Sequence, residues 1–168
     1  AVQLDSNIIK NLSHLSAAVT VTGGGITGIS SAAKNTAEIT ITNNSFINNT
    51  TAPSMTTGVF YGIVNTGASS SLKINNNAFY GNTINSATTL YYAIWNNGAV
   101  FNTIEINGNS IGTSSSAAIN FTAANSGSQI LIYNKGGSSS ANLSINNNDF
   151  QNVNYAASNG TGTLTFIS

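Results

Sequence analysis

Asp5, Glu38, Glu105 and Asp149 are the only acids in a 168-residue chain with four lysines, one histidine, no arginine and no cysteine. Hydrolysis of a glycosidic bond needs two carboxylates about 5–10 Å apart across a cleft. The four acids are scattered along the sequence, and the four lysines are no more clustered. His14, in "NLSHLS", has no acid or second ligand near it. It reads as a surface or satisfied core histidine rather than a catalyst. The absence of cysteine removes disulfides, thiolate metal sites and thiol catalysis together. "TGGGITG" (22–28) has the glycines of a phosphate cradle but not the helix that must follow it. Sequons such as those at Asn43 and Asn120 arise readily in a chain rich in Asn, Ser and Thr. No catalytic residue, metal site or cofactor is therefore assigned.

Only 5% of the residues are charged and the net charge is zero, against about 25% charged for an ordinary domain. No basic patch can neutralise phosphates, so a nucleic-acid partner is not expected. No run reaches the roughly 18 apolar residues of a membrane helix, and membrane insertion is not expected either. The 40% apolar content is too high for a disordered polar chain. The start at Ala1 suggests a processed protein or a piece of a longer one.

Those residues must be positioned by a repeat. "LKINNNAF" (72–79) has counterparts in "ITITNNSF" (39–46), "IEINGNSI" (104–111) and "LSINNNDF" (143–150), with a weaker copy, "VQLDSNII" (2–9). The third residue of each copy is Leu4, Ile41, Ile74, Ile106 or Ile145, so the steps are 37, 33, 32 and 39 residues. The eighth is Ile9, Phe46, Phe79, Ile111 or Phe150, and the sixth is Asn7, Asn44, Asn77, Asn109 or Asn148. Asn is 28 of 168 residues, too few to make an invariant offset in five copies a consequence of composition.

A second alternating segment recurs in "GITGIS" (25–30), "VFYGIVN" (59–65), "LYYAIWN" (90–96), "QILIYN" (129–134) and "TLTFIS" (163–168). Each repeat thus reads as a strand, an Asn bend, a short second strand, a variable loop and a third strand. Strands that return every 32–39 residues with a fixed bend describe a coil, each repeat stacked about 4.8 Å above the last. The five sixth-position asparagines then become an internal ladder, each amide bonding to the rungs above and below. Asn75, two residues before Asn77, is expected to face solvent.

The "φ-x-I-x-N-N-x-F/I" rungs resemble the right-handed parallel β-helix proteins of the pectate-lyase-like superfamily, in their adhesin-like, cell-surface branch. The resemblance covers essentially the whole chain. It implies an all-β, right-handed parallel β-helix (solenoid) of about five rungs, one domain over 1–168 with rungs starting near 2, 39, 72, 104 and 143. It implies little about activity, since that fold carries lyases, hydrolases, tail spikes, adhesins and spacers.

Stacking the copies puts Glu105 beside Lys73 as a cross-rung ion pair, and separates Glu38 from Glu105 by two rungs and in register. The outward column Gln3, Thr40, Lys73, Glu105 and Ser144 is too mixed for the regular Thr array of an ice-binding solenoid. The aromatic residues give more. Trp95 aligns with Val64 and Tyr133, and Tyr91 with Phe60. With Ile63, Ile94 and Ile132 inward, alternation sends Val64, Trp95 and Tyr133 outward. Trp95, Tyr91, Tyr133 and Phe60 are the candidate ligand-binding residues.

The expected function is a non-catalytic structural or adhesive module of an exported, extracellular or cell-surface protein of prokaryotic origin. Its expected partners are further rungs or domains of the same parent protein, surface glycans, or another surface protein. A carbohydrate-active enzyme domain is the alternative, and an ice-binding solenoid the third reading.

Overall fold

In the computed structural model, which describes residues 1–14, 21–34, 36–51, 55–155 and 161–168, the chain folds as stacked rungs of four strands each. The first rung is β1 (Val2–Asp5), β2 (Ile8–Lys10), β3 (Ser13–His14) and β4 (Val21–Ser31). The second is β5 (Thr36–Thr42), β6 (Ser45–Ile47), β7 (Thr50–Thr51) and β8 (Met55–Asn65). The third is β9 (Ser69–Asn75), β10 (Ala78–Tyr80), β11 (Asn82–Ile84) and β12 (Thr89–Asn96). The fourth is β13 (Val100–Glu105), β14 (Ser110–Ile111), β15 (Ile119–Phe121) and β16 (Gln129–Asn134). The fifth is β17 (Asn142–Ser144), β18 (Asp149–Phe150), β19 (Val153–Tyr155) and β20 (Leu164–Ile167).

Equivalent strands pair in parallel, giving four five-stranded sheets: A from β1, B from β2, C from β3 and D from β4, each climbing one strand per rung. This is an all-β parallel solenoid. The three strands expected in each repeat are in sheets A, B and D. The segment expected to be a variable loop contains a further short strand, so the rung has four sides. Its strands are only two or three residues long, too short to show a period-two pattern.

The repeat columns coincide with the pairing register. Leu4 pairs with Ile41 and Ile41 with Ile74. Ile9, Phe46, Phe79, Ile111 and Phe150 form one continuous line up sheet B. Phe46 and Phe79 stack with centroids 4.7 Å apart and planes within 4°. That stack needs space on the facing sheet. A Cβ on Gly28 would overlap the Phe46 ring, and one on Gly62 would overlap the Phe79 ring and lie 2.6 Å from the Ala93 carbonyl oxygen. Where sheet B has the smaller Ile111 instead of Phe, the corresponding residue of sheet D is Ala93 rather than Gly. Across these three levels small faces large in the core, which keeps its section even.

The Asn bends answer why three asparagines sit between apolar residues. Ser6, Asn43, Asn76, Gly108 and Asn147 have φ of 57°, 58°, 58°, 66° and 55°, the left-handed region that Gly and Asn tolerate best. The next residue is the ladder Asn. Its backbone N–H and side-chain Nδ2 both donate to the Oδ1 of the Asn one rung up: Asn7 to Asn44 (2.9 and 2.9 Å), Asn44 to Asn77 (3.0 and 3.0 Å), Asn77 to Asn109 (2.9 and 3.0 Å), Asn109 to Asn148 (3.0 and 2.9 Å). The second Nδ2 proton reaches back to a backbone carbonyl, for example Asn77 to Ile41 at 3.0 Å and Asn109 to Ile74 at 2.9 Å. Each interior amide thereby uses both protons and both lone pairs. Such full satisfaction is what makes a buried polar column tolerable.

Two more Asn columns accompany this one. Asn49 donates to Asn82 Oδ1 through its backbone N (3.2 Å) and Nδ2 (3.0 Å), and accepts from the Leu12 N–H at 3.0 Å. At the end of sheet D, Asn65 Nδ2 donates to Asn96 Oδ1 (2.8 Å) and Asn96 Nδ2 to Asn134 Oδ1 (2.7 Å). The expectation that Asn75 faces solvent is corrected. Asn75 is half-buried, and its Oδ1 accepts the Asn107 N–H at 2.9 Å. One rung higher, Asn107 Oδ1 accepts the Asn146 N–H at 2.7 Å, so an outer series of side-chain-to-backbone bonds flanks the inner ladder.

Candidate functional site

All four acids lie away from sheet D. Asp5, Glu38 and Glu105 are on strands of sheet A and Asp149 is on sheet B. Glu105 pairs in register with Lys73, as the repeat alignment expects. The ion pair, however, is Glu38–Lys73 at 3.3 Å, diagonally one rung down, with both side chains 37% exposed. Glu105 instead accepts a long 3.4 Å bond from Asn75 Nδ2. Thr40 and Lys73 beside Glu38 lower its carboxyl below the usual range. Bonds from Thr42, Asn43 and Ser6 do the same for Asp5. These are carboxylates held ionised on an exposed face, with Lys73 between the two glutamates. Glu38 and Glu105 are two strands apart and two residues out of register, which puts their backbones about 12 Å apart. His14 pairs through its backbone with Thr51, and its side chain lies outside the described residues. No group of three or more His, Cys, Asp and Glu side chains that could hold a metal occurs among the described residues.

Sheet D has a different character. None of its five strands contains a charged residue. The alignment of Trp95 with Val64 and Tyr133, and of Tyr91 with Phe60, is the register of the sheet. Ile63, Ile94 and Ile132 are fully buried. Trp95 and Tyr133 are half-buried on the outer face, while Val64 is 9% exposed.

Tyr91 and Phe60 are corrected: both are core residues, 0% and 1% exposed, with ring centroids 5.2 Å apart. The reason is a break in alternation that recurs along the sheet. Gly62 and Ile63, Ala93 and Ile94, and Leu131 and Ile132 are consecutive buried pairs. Gly62, Ala93 and Leu131 also drop out of the register between residues that remain paired. Two successive inward residues shift the phase by one, so Tyr91 turns in and Tyr92 turns out. The outward partners are therefore Tyr61 and Tyr92, which the sequence reading did not single out. The signal was present as a small or aliphatic residue before each inward Ile.

The four outward rings form a closed cycle. Tyr61 and Tyr92 have centroids 5.4 Å apart with planes 18° apart, and Trp95 and Tyr133 have 6.1 Å and 14°. The two columns touch through Tyr61–Trp95 at 5.7 Å and Tyr92–Tyr133 at 5.9 Å, both tilted. Near-parallel rings at such separations are slipped rather than eclipsed, and slipped rings leave part of each face uncovered. Val59 and Leu90, paired across β8 and β12, extend the patch, as does Ile130 beside Tyr92. Burial raises the phenol pKa of Tyr61 and Tyr92 above its ordinary value, with a further contribution at Tyr92 from the neighbouring phenols. These hydroxyls stay protonated donors throughout the neutral range.

Fold and face together define a class: a parallel β-solenoid whose charges are kept to sheets A and B and the turns, and whose sheet D presents an uncharged aromatic surface. No family model matches the chain, and no significant match to it was found among curated proteins or solved structures.

Proposed function

We propose that the chain is a non-catalytic adhesive module of an exported cell-surface protein, a rigid solenoid that holds sheet D out as its contact face. The observation that carries this reading is the segregation on the surface. Every charged residue lies outside sheet D, while four contacting rings lie on it. A contiguous half-exposed apolar patch of this kind marks an interaction site more often than a neutral surface. The ladders support the mechanical half of the proposal, because they tie neighbouring rungs by side-chain as well as backbone bonds and so resist shear between them. The resemblance of the rungs to the adhesin-like branch of the pectate-lyase-like β-helices supports the surface location. The dispersed carboxylates support the non-catalytic half.

The test is retention of protein-coated beads on cell and polysaccharide surfaces under flow, with the Trp95→Ala/Tyr133→Ala double variant as comparison. The proposal expects retention by the unmodified chain and its loss in the double variant at unchanged circular dichroism. Release of new reducing or unsaturated sugar ends, abolished by Glu38→Gln or Glu105→Gln, would replace this reading with an enzymatic one.

A further inference from the structure

Building on the reading of sheet D as the contact face, we infer that its ligand is an uncharged oligosaccharide chain, taken up by ring stacking on Tyr61, Tyr92, Trp95 and Tyr133. Three observations narrow the occupant.

The first is size. Five strands of 11, 11, 8, 6 and 4 residues, about 4.8 Å apart and rising about 3.3 Å per residue, give a face of roughly 600 Å². A stable protein–protein interface needs about 800 Å² from each partner. The sheet falls short of that, and the four rings occupy only its middle three strands, which suits a narrow ligand better than a second folded domain or a second copy of this chain.

The second is charge. With no acid or lysine in β4, β8, β12, β16 or β20, nothing on the face offsets the desolvation of carboxylate or sulfate groups on an acidic polysaccharide. Lys34 and Lys135 lie beyond the strand ends, in the turns that lead away from sheet D.

The third is the chemistry of the rings. A purely apolar partner would leave the polar atoms among them without bonds. The hydroxyls of Tyr61, Tyr92 and Tyr133 and the Trp95 indole N–H have no partner among the described residues. They are held beside partly uncovered ring faces. A pyranose matches both features, because its axial C–H face packs on an aromatic ring while its equatorial hydroxyls reach outward to hydrogen-bonding groups at the ring edges.

The experiment titrates the intact chain with two sets of probes. One is neutral oligosaccharides (cello-, xylo-, manno-, chito- and β-1,3-gluco-oligomers), and the other is acidic oligomers of galacturonate and alginate. Trp95, the single tryptophan, reports binding by fluorescence, and calorimetry gives the affinity. The inference expects saturable binding of at least one neutral series and none of the acidic ones. Trp95→Ala should weaken that binding about tenfold or more, as loss of a central aromatic anchor does. Tyr92→Phe keeps the ring and the packing, so it should retain the fold and lose affinity by a few fold through its hydroxyl alone. Preference for the acidic oligomers, or no binding to any neutral series, would overturn the inference. If bead retention still depends on Trp95 and Tyr133 in that case, the contact face stands and its ligand is of another class. If retention is indifferent to both residues, the contact-face reading falls as well.

Discussion

Replacing Asn77 by Ala removes the middle of the inner ladder. Asn77 Oδ1 accepts the Asn44 N–H and Asn44 Nδ2, both at 3.0 Å, and its own Nδ2 donates to Asn109 Oδ1 and the Ile41 carbonyl, also at 3.0 Å. Asn109 Oδ1 keeps one donor after the change, since the backbone N–H of residue 77 still reaches it at 2.9 Å. The damage therefore falls on Asn44, which is 0% exposed and loses the acceptor for two protons at once. At about 1–3 kcal/mol for each stranded buried donor, the cost is about 2–6 kcal/mol. A domain of this size has about 5–15 kcal/mol in total. With a urea dependence near 2 kcal/mol per molar, the unfolding midpoint should fall by about 1–3 M. Asn75→Ala makes the same change of composition two residues away. It removes one acceptor, that of the half-buried Asn107 N–H, which water can replace, so about 0.5–1 kcal/mol is expected. Urea unfolding followed by far-ultraviolet circular dichroism measures both. Equal small shifts in the two variants would refute the reasoning, because they would show that inter-rung amide bonds carry no more stability than an outer contact.

Gly62→Ala should destabilise by about 1–3 kcal/mol through overlap with Phe79, and Phe79→Ile should recover part of that loss in thermal melts, since the Ala93 and Ile111 pair already occupies the next rung. Ser31 pairs with Asn65 at the foot of the sheet D ladder and its buried hydroxyl has no partner; Ser31→Asn should add a bond to Asn65 Oδ1 and stabilise the chain by about 0.5–1.5 kcal/mol, read as a higher melting point. Burial raises the phenol pKa of Tyr61, Tyr91 and Tyr92. Their contribution is complete below the unfolded value near pH 10 and is lost as pH rises through the folded values; stability should therefore fall above about pH 10, and Tyr91 should ionise, by absorbance at 295 nm, only when the chain unfolds.

The inner ladder and the Phe column were legible because each repeats in every rung at a fixed offset, and parallel pairing turns sequence period directly into spatial adjacency. Sheet C was not legible, because two or three residues cannot display alternation. The second ladder occupies fewer rungs: Asn49 and Asn82 have Leu12 below them, and an Asn that recurs twice is hard to separate from an Asn-rich background. Tyr91 and Phe60 were misplaced by carrying strict alternation back from Ile94 and Ile63. Nothing in a single strand announces that two neighbours both point inward. Only the four-fold comparison of Gly28, Gly62, Ala93 and Leu131, each directly before an Ile, reveals the bend. The ion pair went to Glu38 rather than Glu105 because lysine is long enough to reach diagonally, a choice that register alone does not decide.

The claim on which the rest depends is that one continuous ladder ties the rungs into a single rigid body. Hydrogen exchange of the side-chain amide protons, resolved by nuclear magnetic resonance, reads that ladder bond by bond. The Nδ2 protons of Asn44, Asn77 and Asn109 should exchange only through global opening and share one protection factor, while those of the exposed Asn97 exchange at the rate of a free amide. Exchange of the three ladder amides at the Asn97 rate would contradict the account.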